Sequence, residues 1–246
     1  VNISTAQITS LTTAQVVALT TAQVVALTTD QVAALTTSQL ASVTAARLAK
    51  METDDVAVIT TEQIAGLTTV QIAGLTTAQT VTLSSDQLAA LTTAQVAAIT
   101  TANLVAITTD QITSITSDQI AALTTAQVVA LSTGQTVTLT TNQLANLTTA
   151  QLAKMETRDF AAVTTDQITS LTTAQVSSIT TAQVVALTTD QVATLTTDQL
   201  AALTTAQLVK METDDVAAIT TAQISALKTA QIAALTSDQV LTLSTV

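Results

Sequence analysis

The chain is 246 residues long, is 48% apolar at a mean hydropathy of +0.52, and contains no His, Cys, Pro, Trp or Tyr, with Phe160 its one aromatic residue. Without His or Cys it has no imidazole base, thiolate nucleophile or disulfide and none of the usual zinc or haem ligands, so we expect neither a cofactor nor an enzyme. Its 17 acidic and 6 basic residues give a net charge of −11, which repels a phosphate backbone and argues against nucleic acid or an anionic membrane as partner.

From the first residues onward no apolar run approaches the 18 or so residues of a membrane span, and Val1-Asn2-Ile3-Ser4 has no basic or apolar leader character. What begins there is a repeat. Ile3, Leu11, Leu19, Leu27 and so on to Leu243 recur every eight residues without insertion or deletion, and every one of these positions is Ile, Leu, Val or Met. Such a period fits neither a continuous helix nor a heptad coiled coil, because an apolar stripe repeating every eight residues drifts by about 80° per octad. The register places all of 1–246 in one continuous octapeptide array, expected to be a segment of a longer array or filament because it is already running at Ile3 and still running at Leu243.

The first full unit, Leu11-Thr12-Thr13-Ala14-Gln15-Val16, carries the chemistry of a helix start. Thr12 stands at the N-cap and Gln15 at the third helical position, the capping box that satisfies two orphan backbone N–H groups reciprocally, while Leu11 and Val16 occupy the two staple positions. The next units repeat it, as in Leu27, Thr28, Gln31 and Val32. The prediction is an all-α solenoid of very short helices, one per octad, with the two large aliphatics inside and the Thr, Asp and Gln faces at the helix starts. Helices this short are unstable alone, and burying two aliphatics per octad is worth roughly 3–6 kcal/mol, so stability must come from stacking. The alternative is a β-solenoid, since Thr, Val and Ile favour strands, but tight β-coils need Gly, Asn or Asp at left-handed corners and the chain has 3 Gly.

Charges follow the helix reading. Eleven acids, from Asp30 to Asp238, fall at the second helical position, and the other six at the N-cap (Glu52, Glu156, Glu212) or the third position (Asp55, Asp159, Asp215), where the helix dipole favours negative charge. Lys50, Lys154 and Lys210 close their octads at a helix C-terminus, whereas Arg47, Arg158 and Lys228 sit near N-terminal ends. The motif K-M-E-T-[DR]-D at Lys50, Lys154 and Lys210 puts Glu in place of the capping Thr and Asp in place of the box Gln. Glu52, Asp54 and Asp55, with Glu212, Asp214 and Asp215, are thus candidate cation ligands or lateral contacts. The favoured reading is a dipole-compensated octad whose Lys50 pairs with a nearby acid, since three carboxylates on one turn do not surround calcium. Rows 27–82, 83–138 and 139–194 hold seven octads each and 195–242 six, each opening on an Asp-Gln or Asn-Gln octad (Asp30, Asp86, Asn142, Asp198). The sequons at Asn2 and Asn146 coincide with predicted caps.

At the level of Leu27-Thr28-Thr29-Asp30-Gln31-Val32-Ala33 the chain resembles, over its whole length, the LTTxQVxA octapeptide arrays of large bacterial secreted or cell-surface proteins of adhesin-like kind. That resemblance implies an extracellular structural role as filament, surface layer or adhesin stalk, with self-association head to tail or laterally and no catalytic residue. The alternative is a binding module offering a repetitive Thr/Gln/Asp surface to a ligand or to ice. Leu187-Thr188-Thr189-Asp190-Gln191-Val192-Ala193 also resembles the first helix of transcription-activator-like effector repeats. The second helix, the base-reading loop and the basic residues of those repeats are missing here, so DNA reading is not implied.

Overall fold

In the computed structural model, which describes residues 3–243, every octad restarts a helix. Among the described residues there are thirty helices of four to seven residues, from α1 (Thr5–Thr9) to α30 (Ser237–Leu243), and no strand. The fold is all-α and solenoidal, and the β alternative is not adopted. The reason is local: Thr12 is extended at φ −72°, ψ 157° and its hydroxyl accepts from the Gln15 N–H, while the Thr12 N–H donates to Gln15 Oε1 at 2.8 Å. Thr28 and Gln31 form the same box, at 2.9 and 3.3 Å. The corner is made by the cap and the residue before it, such as Leu19 at φ −58°, ψ 135°. No residue adopts a positive φ among those described, so the corners do not need glycine.

The chain forms two compact units, Val1–Ala130 and Leu131–Val246. In each, a helix packs on the one three places further along the chain. In the first unit α1 lies on α4 (Thr29–Ala34), and α11 (Ser85–Ala90) lies between α8 (Thr61–Ala65) and α14 (Thr109–Ser114). The first and sixth residues of the octad fill the core, as Leu35, Leu40, Val43 and Leu48 do, each at most 3% exposed. Of the sequence-predicted core residues, Val16, Leu27 and Val32 are buried, and Leu11, in the first turn, is half-buried. Thr80 departs from the pattern: a hydroxyl stands at the sixth, apolar position, and it is tolerated because it donates to the Thr76 carbonyl at 3.0 Å.

Gly134 sits at the second position of α17 (Thr133–Thr138), where an added Cβ would meet Ser132 Oγ at an ordinary 4.0 Å, whereas a Cβ on Gly66 would fall 2.0 Å from Thr37 Cγ2. Gly134→Ala is therefore expected to stabilise by about 0.5–1 kcal/mol through helix propensity. Gly66→Ala is expected to gain less, because Thr37 must move. Urea unfolding midpoints of the two variants check this.

Candidate functional site

The octad glutamine does more than close its box. In the first unit Gln95 Oε1 accepts from the Thr92 N–H at 2.7 Å, while Nε2 donates to the carbonyls of Ile64 (2.8 Å), Ala65 (3.2 Å) and Leu67 (2.7 Å). Ile64 and Ala65 close the helix four octads back, and Leu67 is the corner residue that follows them. The second unit repeats the arrangement, with Gln199 reaching Ile168, Thr169 and Leu171 at 2.8, 3.2 and 2.8 Å. Most helices thus have N-terminal donors satisfied by their own Thr or Ser and C-terminal carbonyls by a glutamine from the next turn. These bonds span 28, 30 and 31 residues, so a turn takes about three and a half octads. Gln95 is 2% exposed.

From Gln31 onward burial takes the glutamines off the surface, leaving Thr and Asp as what an octad presents to solvent. The sequence reading placed Gln on an outward helix-start face and missed this second role. One signal was available: a box takes Glu as readily as Gln, yet no octad has Glu there. A carboxylate cannot donate to carbonyls.

Departures from Gln show what the position requires. Asn103 is too short for the box, but its Nδ2 still donates to Leu75 O at 2.8 Å and its Oδ1 accepts from the Thr77 hydroxyl at 3.0 Å. Arg47 Nη1 reaches Val17 O at 2.7 Å, again 30 residues back, which explains a cation that fits no dipole rule. Asp159 accepts from the Thr133 hydroxyl and from Arg158 Nε at 3.4 Å, and Asp215 from the Thr189 hydroxyl at 2.9 Å.

The candidate acidic trios do not converge. Asp55 and Asp215 turn inward, at 5% and 4% exposure, while Glu52, Asp54, Glu212 and Asp214 stay exposed. No cluster of three or more possible metal ligands occurs among the described residues. Glu52, Glu156 and Glu212 occupy the N-cap without a side-chain capping bond, because the longer carboxylate does not fold back as Thr does. Lys50 does not pair with a nearby acid, contrary to the sequence reading. Among the described residues the one ion pair is Arg158–Asp159, since Lys50, Lys154 and Lys210 all lie beyond the last helical residue and are held by no carboxylate within reach. Asn146 is exposed, but the hydroxyl of its sequon partner Thr148 is committed to the Gln151 N–H. Asn2 lies outside the described residues.

Burial raises the Asp55 carboxyl above its ordinary value of 3.8, with Glu52 and Asp54 adding to the rise and the Glu52 backbone N–H opposing it. Asp215 is raised by burial as well, against the Thr189 hydroxyl and with Glu212 and Asp214 adding to it. A carboxyl raised in the fold stabilises fully only below its unfolded value of about 3.9, and that contribution is lost as pH climbs from there through the folded value. Asp215→Asn is therefore expected to stabilise by about 1 kcal/mol at pH 7, through an amide donor placed like that of Asn103. The advantage should vanish below about pH 4. Denaturation midpoints across that range test it.

Turns of short capped helices, clamped to one another by a buried amide relay, define an all-α octapeptide-repeat solenoid. The chain belongs to the ALTTAQ repeat family, whose profile matches residues 1–29, 18–45, 48–85, 96–125, 114–149, 152–189, 177–205 and 208–245. Each matched window is roughly one superhelical turn or slightly more. No curated protein matches the chain.

Proposed function

We propose that the protein is a non-catalytic structural element of the bacterial cell exterior, a stalk or filament segment of adhesin-like kind whose turns stack on turns of the same kind. The glutamine relay is the observation that carries this reading. It makes every turn a donor on one side and an acceptor on the other. Any turn is complementary to any other, in the same chain or in another, which is the condition for open-ended head-to-tail growth.

Composition supports the absence of catalysis: neither an imidazole nor a thiol, as base, nucleophile or ligand, is present in the sequence. No helix among the described residues is long and apolar enough to cross a membrane. Electron microscopy with light scattering tests the reading. Fibres or a concentration-dependent rise above the 25.0 kDa chain mass are expected. A monomer at every concentration would refute stacking, and a tight, saturable small-molecule complex would favour a binding module instead.

A further inference from the structure

The first unit, taken by itself, has two chemically different sides. With about three and a half octads to a turn, octads seven apart lie over one another two turns on, so the octads fall into seven columns around the axis. Named by their first members, the columns run Ile3, Leu35, Leu11, Val43, Leu19, Met51, Leu27 and back to Ile3. Every acid of this unit falls in three consecutive columns. The Met51 column holds Glu52, Asp54, Asp55 and Asp110; the Leu27 column holds Asp30 and Asp86; the Ile3 column holds Glu62 and Asp118. Packing of α4 on α7 (Thr53–Ala57), and of α11 on α8 and α14, joins these octads directly.

The opposite three columns carry the exposed valines. Val17, Val70 and Val129 share the Leu11 column, Val105 lies in the Val43 column and Val81 in the Leu19 column, with Val70 the most open at 69% exposed. Val58, at 37%, is the one exposed large apolar residue of this unit on the acidic side. The unit's two cations, Arg47 and Lys50, belong to the Val43 column. The remaining column, Leu35, is uncharged.

We infer that this valine side of the first unit is a lateral docking face for a second copy of the chain. The inference rests on the self-association reading above and names the surface. Charge identifies the occupant: the chain is strongly acidic, and two copies repel wherever their carboxylates meet, but the valine side is free of acids and bears both cations. Two copies meeting through it exclude water from the Val and Ala side chains and keep the unit's seven exposed carboxylates in solvent, Asp55 being turned inward. A two-fold pairing then makes the same patch serve both partners.

The test is the double variant Val70→Asp/Ala126→Asp, followed by light scattering of the full chain beside wild type. Both positions are the fourth of their octads and the second of their helices, so each substitution recreates the Leu27-Thr28-Thr29-Asp30-Gln31 pattern and leaves the helical circular dichroism unchanged. Wild type is expected to reach at least twice the 25.0 kDa chain mass, and the variant to lose its lateral pairing, with association weakened at least tenfold. Ala174→Asp/Ala206→Asp adds the same charge at equivalent positions of the second unit and is expected to behave as wild type. Undiminished association of Val70→Asp/Ala126→Asp would overturn the face while leaving self-association standing. A control weakened as much as the variant would also overturn it, since added charge alone would then be the cause. A wild type that stays monomeric removes both readings.

Discussion

Gln95→Ala is expected to destabilise the first unit by about 3 kcal/mol, although it removes no apolar side chain. The truncation leaves the Thr92 N–H without its acceptor and the Ile64, Ala65 and Leu67 carbonyls without their donor, at a site 2% exposed. Each buried group left unpaired costs about 1–3 kcal/mol, reduced where water enters the space that the side chain vacates. Thr93→Ala, two positions earlier on the exposed start of its helix, is expected to change stability by no more than about 0.5 kcal/mol. Gln95→Glu separates the two halves of the relay. It keeps the oxygen that closes the box, loses the donor and sets a carboxylate against carbonyls, so near neutral pH it should cost at least as much as Ala and recover in acid. Urea unfolding gives the energies, and amide exchange at Thr92 reports whether loss is local. If Gln95→Ala and Thr93→Ala cost the same, the inter-turn bonds contribute nothing and the relay is not what holds the turns.

Leu88→Ala is expected to cost about 3 kcal/mol, within the usual 2–5 kcal/mol for emptying a fully buried leucine site. Leu88 is 0% exposed on α11, whose neighbours α8 and α14 are themselves only five and six residues long. So short an element has little of its own to fall back on, because nucleation of a single turn is unfavourable without packing. Val105→Ala, at 43% exposure, removes apolar surface that already meets water and should stay within about 0.5 kcal/mol. Since each octad touches only its neighbours along the solenoid, the Leu88 defect is also expected to broaden the unfolding transition or split it in two. A single transition of unchanged slope would show that the unit unfolds as one block.

The local half of this architecture was legible in the residues. Thr12 and Gln15 form the predicted box, Leu27 and Val32 are buried where the staple places them, and every helix begins within its octad, because caps and staples act between residues three to five apart. Sequence spacing measures such interactions directly. The buried role of Gln95, the reach of Arg47 to Val17 and the bond of Asp215 with Thr189 were not legible, because they join residues 26 to 31 apart across a turn whose length no octad encodes by itself. That length is set by how the corner dihedrals of residues such as Thr12 and Leu19 add up while the aliphatics close around the axis. Once it is known, the seven-octad rows opening at Asp30 and Asp86 become two turns of the solenoid. The sequence determined where each helix starts and which side chains avoid water; the tertiary structure decided which octads become neighbours, because a turn closes only through backbone angles and packing summed over three to four repeats.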